Sequence, residues 1–113
     1  MAAVYVSNLV INTGSTFTQT FNLEATNTNA PLDLTGYSAS SQMRKWAGSS
    51  SATTFTATIA SPPTAGVIEI GLTAAQTADL PAGRQVYNIL ITKGSITETV
   101  VEGMVLVREG VTR

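Results

Sequence analysis

Between Thr16 and Ala25 the chain reads TFTQTFNLEA. Successive side chains of a strand point to opposite faces, so Phe17, Gln19, Phe21 and Leu23 share one side and Thr16, Thr18, Thr20, Asn22 and Glu24 the other. Phe17, Phe21 and Leu23 are therefore core positions, and Gln19 is the one break in the pattern. VIEIGL, residues 67–72, alternates in the same way, with Ile68, Ile70 and Leu72 on the core face and Val67, Glu69 and Gly71 opposite. In TTFTATIA, Phe55, Ala57 and Ile59 share a side. Residues 3–11, AVYVSNLVI, are an apolar strand ended by Asn12-Thr13-Gly14, and residues 37–46 read as another. Residues 84–92 and 95–108 form a hairpin around Lys93-Gly94, with Gly103 a candidate bulge in its second strand.

The segments between the strands carry turn chemistry. Two prolines without N–H donors and Gly66 make SPPTAG a break. In TAAQTADLPAG, Thr73 and Gln76 have the spacing of a capping box, and Pro81 with Gly83 ends a helical piece of one or two turns. Seven short strands with one such crossover predict an all-β fold, an immunoglobulin-like two-sheet antiparallel sandwich with one short helical turn. The whole is a single β-sandwich domain over residues 1–108 with a C-terminal tail at 109–113.

Composition narrows the chemistry. Cysteine and histidine are both absent. That excludes disulfides, thiolate nucleophiles, Ser-His-Asp triads and the usual zinc sites, and points away from an enzyme and from any cofactor. Six Lys and Arg scattered along 113 residues do not make the basic cluster that nucleic-acid binding needs. Apolar runs stay short of the ~20 residues of a membrane span, and no Lys or Arg precedes Arg44, so a cationic signal-peptide start is not expected. Only 12% of residues are charged and the net charge is −1. Such a weakly repelling surface suits a protein packed against copies of itself or other subunits.

Four places merit weighing as sites. Asp33-Leu34-Thr35-Gly36 is a structural turn, Asp33 bonding the backbone two residues on and Gly36 supplying a positive φ. Arg44-Lys45-Trp46 is the one cationic-aromatic cluster. If Arg44 faces out of its strand, Trp46 shares its side, and the pair has the composition of a subunit contact. A buried core Trp and a stacking site for a base or sugar are the other readings. Glu98 and Glu102, an even number apart, fall on one face of the last strand, where a solvated face explains them better than paired catalytic carboxylates. In the terminal VREGVTR, Arg108 and Arg113 are candidate contacts to a neighbour, by salt bridge or strand addition.

Three stretches, LDLTGYSASSQMRKWAGSS, GVIEIGLTAAQTADLPAGRQVYNILIT and VVEGMVLVREGVTR, together resemble a family of small tailed-phage virion proteins, similar chains of which occur in phages of cyanobacteria. The shared pattern is Asp-Leu-Thr-Gly-Tyr, Met-Arg-Lys, a Thr-rich helical turn before Leu-Pro-Ala-Gly, a Tyr-containing strand and a late Glu-Gly strand. It spans residues 32–113, with Asn88 after Tyr87 where the family pattern has Asp. The resemblance implies a non-enzymatic structural role in a virion assembled in the host cytoplasm, with other virion subunits and further copies of the chain as partners. A tail, neck or baseplate accessory subunit is the first reading. A capsid decoration protein is the alternative, and a host-glycan-binding module a third, for which one Trp and three Tyr offer little platform.

Overall fold

The structure is a computed structural model and describes residues 5–24 and 30–111. Among these the strands are β1 (Tyr5–Val6), β2 (Leu9–Asn12), β3 (Phe17–Asn22), β4 (Ser38–Arg44), β5 (Thr53–Ile59), β6 (Val67–Leu72), β7 (Gly83–Lys93) and β8 (Ile96–Arg108). A 3-10 turn, Pro63–Ala65, precedes β6, and the short helix α1, Ala74–Ala78, follows it. The strands join laterally in the order β1-β8-β7-β4-β5-β6-β3, with β2 continuing beside β8 after β1.

This is one curled, mixed sheet, which corrects the expectation of two separate antiparallel sheets. The physical reason lies in β5, which changes partner midway. Its first residues pair with β4, Ser41 opposite Phe55 and Met43 opposite Thr53, while Thr56–Ile59 pair with β6. One strand therefore belongs to both layers and the ladder never separates. The mixed character comes from β1 and β2, which run parallel to β8, Tyr5 opposite Val101 and Leu9 opposite Val105.

The core fills the inside of the curl. Phe21, Leu23, Phe55, Ile68, Ile70 and Leu72 are buried as their alternation requires, joined by Ile11, Met43, Tyr87, Ile89, Val101 and Val105. Three rings connect the layers: Phe17 lies 6.0 Å from Phe55, and Phe55 meets Tyr87 edge-on at 6.3 Å. The capping box of α1 is complete, since Gln76 N donates to Thr73 Oγ1 (3.2 Å) and Thr73 N donates to Gln76 Oε1 (2.9 Å). Thr77 on that helix is fully buried and donates its hydroxyl to the Ser15 carbonyl at 2.8 Å, tying the helix to the start of β3.

The irregularity in β8 lies at Val100 instead of Gly103. Ile89 pairs with Val101 but Leu90 with Thr99, so one residue is inserted between them, and both Val100 and Val101 are buried. An inserted residue reverses strand parity. Glu98 consequently stands opposite buried Ile91 and Glu102 opposite exposed Asn88, which puts the two carboxylates on opposite faces and corrects the single-face expectation.

Gly103 has a different task. A Cβ there would lie 2.1 Å from the Ser7 carbonyl oxygen, so β1 reaches β8 only because residue 103 has no side chain. The break between β1 and β2 is closed by three hydrogen bonds. Ser7 N donates to the Glu102 carbonyl (3.0 Å), Tyr87 Oη donates across Gly103 to the Ser7 carbonyl (2.6 Å), and Met104 N donates to Asn8 Oδ1 (3.1 Å). Burial raises the Tyr87 phenol above its ordinary pKa.

Gly103→Ala is expected to destabilise the protein by about 1–3 kcal/mol through overpacking, read as a lower denaturant midpoint with faster amide exchange at Ser7. Tyr87→Phe, which leaves the Ser7 carbonyl without its hydroxyl donor, is expected to cost about 1–3 kcal/mol at neutral pH. Because the folded pKa of Tyr87 lies above the ordinary 10.0, its contribution is intact below pH 10 and is lost as pH rises through the folded value. The fall in wild-type stability above pH 10 should be shallower in Tyr87→Phe, measured as denaturant midpoints along an alkaline series.

Candidate contact surface

The Asp33 turn forms as its chemistry dictates. Thr35 donates to Asp33 Oδ1 from its backbone N (3.0 Å) and its hydroxyl (2.6 Å), and Gly36 takes a φ of 80°. The Thr35 hydroxyl, then the Thr35 N–H and the charge of Lys93, hold the Asp33 carboxyl below its ordinary pKa. A Cβ at Gly36 would come within 3.2 Å of Lys93 Cε, and Lys93 Nζ sits 5.5 Å from the centre of the Tyr37 ring. The turn thus fastens the entry to β4 onto the β7–β8 hairpin.

Arg44 and Trp46 do not share a strand face, because β4 ends at Arg44. The chain then turns, with Ser49 N donating to the Trp46 carbonyl at 2.9 Å. Arg44, half-buried, folds its guanidinium back onto this turn, donating to the Ser49 carbonyl and, at 3.1 Å, to Gln42 Oε1. Its aliphatic stem lines a groove on the outer face with Val6, Val86 and Met104. Trp46, 59% exposed, lines a separate groove with Lys45, Pro81 and Gln85. The buried-Trp reading is thereby set aside, and the two residues belong to different surfaces.

The outer face of the sheet is where the structure gathers apolar side chains that sequence reasoning missed. Val10 pairs with Leu106 and Leu106 with Arg84; one step along, Met104 pairs with Val86 and Val86 with Arg44; beyond that, Val6 pairs with Glu102 and Glu102 with Asn88. Cross-strand partners share a face. Val6, Val10, Met104 and Leu106 are all exposed and form one apolar strip across β1, β2 and β8, bordered by Arg84 and Glu102. The signal was in the sequence: LVI and MVLV are unbroken apolar runs, the signature of a strand covered on both faces.

Arg108 ends β8 on this same face, exposed, while its carbonyl accepts from Thr13 N at 2.9 Å. Gly110 N donates to Thr13 Oγ1 at 2.8 Å, so the chain follows β2 beyond the end of β8. Arg113 lies outside the described residues. Among the described residues no group of three or more Asp, Glu, His or Cys could hold a metal ion.

No protein-family model and no curated protein matches the sequence. Solved structures do match in fold. The N-terminal domain of ORF48 of phage TP901-1 superposes with a TM-score of 0.57 at 11% identity, over 90% of this chain and 85% of that one. The likeness is one of fold. InlP of Listeria monocytogenes matches with a TM-score of 0.52 at 11% identity over 90% of this chain, which spans 26% of InlP.

Because Trp46 is exposed, Trp46→Ala is expected to change stability by less than about 0.5 kcal/mol. Met43→Ala, at a fully buried neighbour, should cost about 2–5 kcal/mol. Parallel urea titrations of the two variants check the contrast.

Proposed function

We propose that the protein is a non-enzymatic structural protein of a tailed-phage virion, an accessory subunit of the tail, neck or baseplate. The observation that carries this reading is the fold likeness to a phage protein domain over 90% of the chain, which agrees with a residue-level resemblance to tailed-phage virion proteins across residues 32–113. The two rest on different information, one on backbone geometry and the other on residue identity.

The chemistry is consistent with that role. A chain without His or Cys has few ways to assemble a nucleophile with its base. What it presents instead is an apolar strip, a low-charge surface and an exposed Trp, the materials of subunit contact. The contacts we assign are the Arg44 groove with Met104 and Leu106, Arg108 at its end, and Trp46 on its own surface. Capsid decoration draws on the same features and differs in where the copies sit.

The test uses particles of the encoding phage purified by density gradient. The protein should co-purify at a fixed ratio to the other virion proteins. Trp46→Ala and Leu106→Glu, each verified as folded, should be incorporated about tenfold less well or worse, the equivalent of ~1.4 kcal/mol of lost contact. Absence of the protein from purified particles, or wild-type incorporation of both variants, would overturn the assignment.

A further inference from the structure

Gln19, the polar break in an otherwise apolar face, has no role in anything described so far. It is half-buried at the middle of β3, and β3 is the terminal strand of the sheet. Among the described residues, β3 pairs with β6 alone, in an unbroken register from Phe17 opposite Leu72 to Asn22 opposite Val67.

Backbone direction shows which groups this edge offers. Leu23 N donates to the Gly66 carbonyl on the β6 side (2.7 Å), so by alternation Phe21, Gln19 and Phe17 also turn their backbone groups toward β6. Thr16, Thr18, Thr20 and Asn22 turn theirs outward. The Thr20 carbonyl is met by Gln19 Nε2 at 3.5 Å, the outer limit of a hydrogen bond. The available edge stops at Glu24, whose N–H donates to Tyr5 Oη at 3.0 Å.

Exposed edges are ordinarily blunted by charge, proline, bulges or brevity. The opposite edge follows that rule, with two strands of two and four residues separated by the Ser7–Asn8 break. β3 breaks it: residues 16–22 contain no charged residue and no proline, and the ladder behind them has no bulge. The residues also read the same in both directions about Gln19, with Thr18 and Thr20 flanking it, then Phe17 and Phe21, then Thr16 and Asn22 as the one inexact match.

We propose that β3 is the seam of a homodimer, two copies pairing antiparallel through their β3 edges about a twofold axis at Gln19. In that register Thr18 faces the partner's Thr20 and exchanges both backbone hydrogen bonds with it, and Thr16 does the same with the partner's Asn22. Phe17 lies beside the partner's Phe21 on the inner face. Gln19 meets the partner's Gln19 as a pair without backbone hydrogen bonds, where Cα atoms approach to about 4.5 Å and two amides can bond each other. A register slip of one residue would set Phe against Thr and turn Gln19 from its mate, so the amide fixes the alignment. The contact is isologous and closes at two copies. It does not depend on residence in a virion.

Two variants of the purified chain test this by sedimentation. Thr20→Pro removes an outward N–H without touching the β6 ladder, a placement that edge strands tolerate. Gln19→Cys introduces a single cysteine into a cysteine-free chain, at a Cα separation that a disulfide can span. The wild type should show a concentration-dependent dimer. Its dissociation constant should rise about tenfold or more in Thr20→Pro. Gln19→Cys should become a disulfide-linked dimer under mild oxidation, while Val10→Cys, on the outer face, stays largely uncrosslinked. A wild type that remains monomeric at all concentrations, a dimer indifferent to Thr20→Pro, or preferential crosslinking through Val10→Cys would overturn the seam. If Thr20→Pro fails to fold, the crosslinking pair decides alone.

Discussion

The carbonyl oxygen of Ser7 occupies the space that a side chain on Gly103 would need, and much of the fold follows from that close passage. It lets the N-terminal strand lie beside β8, so that Leu9 and Ile11 enter the core and β8 ceases to be an edge. It also gives the Tyr87 hydroxyl its partner. A phenol buried without an acceptor would cost stability; here it holds β1 and β7 together across the glycine. From Tyr87 the contact runs through Phe55 to Phe17, so one side of the curl is coupled to the other by three rings.

The second constraint is the partner change within β5. A ladder that passes from β4 to β6 along one strand must bend, and bending separates an inner face from an outer one. The inner face takes the Ile, Val, Leu and Phe side chains. The outer face takes Thr and Ser over most of its area but Val6, Val10, Met104 and Leu106 over β1, β2 and β8. Continuous apolar strips on the surface of a lone domain favour contact with another surface. This is the physical ground on which a structural, assembled role is proposed.

The two ends of the sheet are unlike. At one end the edge is short, broken and stitched by side-chain hydrogen bonds. At the other, β3 is regular, uncharged and symmetric in residue type. That contrast is what sets β3 apart among the described strands: its outer side carries no charge, no proline and no bulge.

Local chemistry was legible in the sequence. The alternation in β3, β5 and β6, the capping box of α1, the Asp33 turn and the existence of the β7–β8 hairpin all depend on residues within a few positions of one another, although the hairpin's two turn residues are Gly94 and Ser95, one position later than expected, because Lys93 still pairs with Ile96. What was not legible depended on distant partners. The parallel pairing of β1 and β2 with β8 joins residues about a hundred positions apart and leaves no local mark. The bulge at Val100 sits in a run of valines where either register buries a side chain, so parity alone misplaced Glu98 relative to Glu102. Gly103 was visible as an anomaly, but the strand that needs the space lies at the other end of the chain. Trp46 was assigned to the Arg44 face because strand parity was carried two residues past the true end of β4. The outer strip was missed because no face was assigned to the side chains of the first strand or of the final hairpin.

The most direct test of the assembled role is cryo-electron microscopy of the intact virion at side-chain resolution. The expected result is density for the curled sheet in the tail, neck or baseplate, with Met104 and Leu106 covered by a neighbouring subunit. A particle without this domain, or one in which that face looks onto solvent, would contradict it.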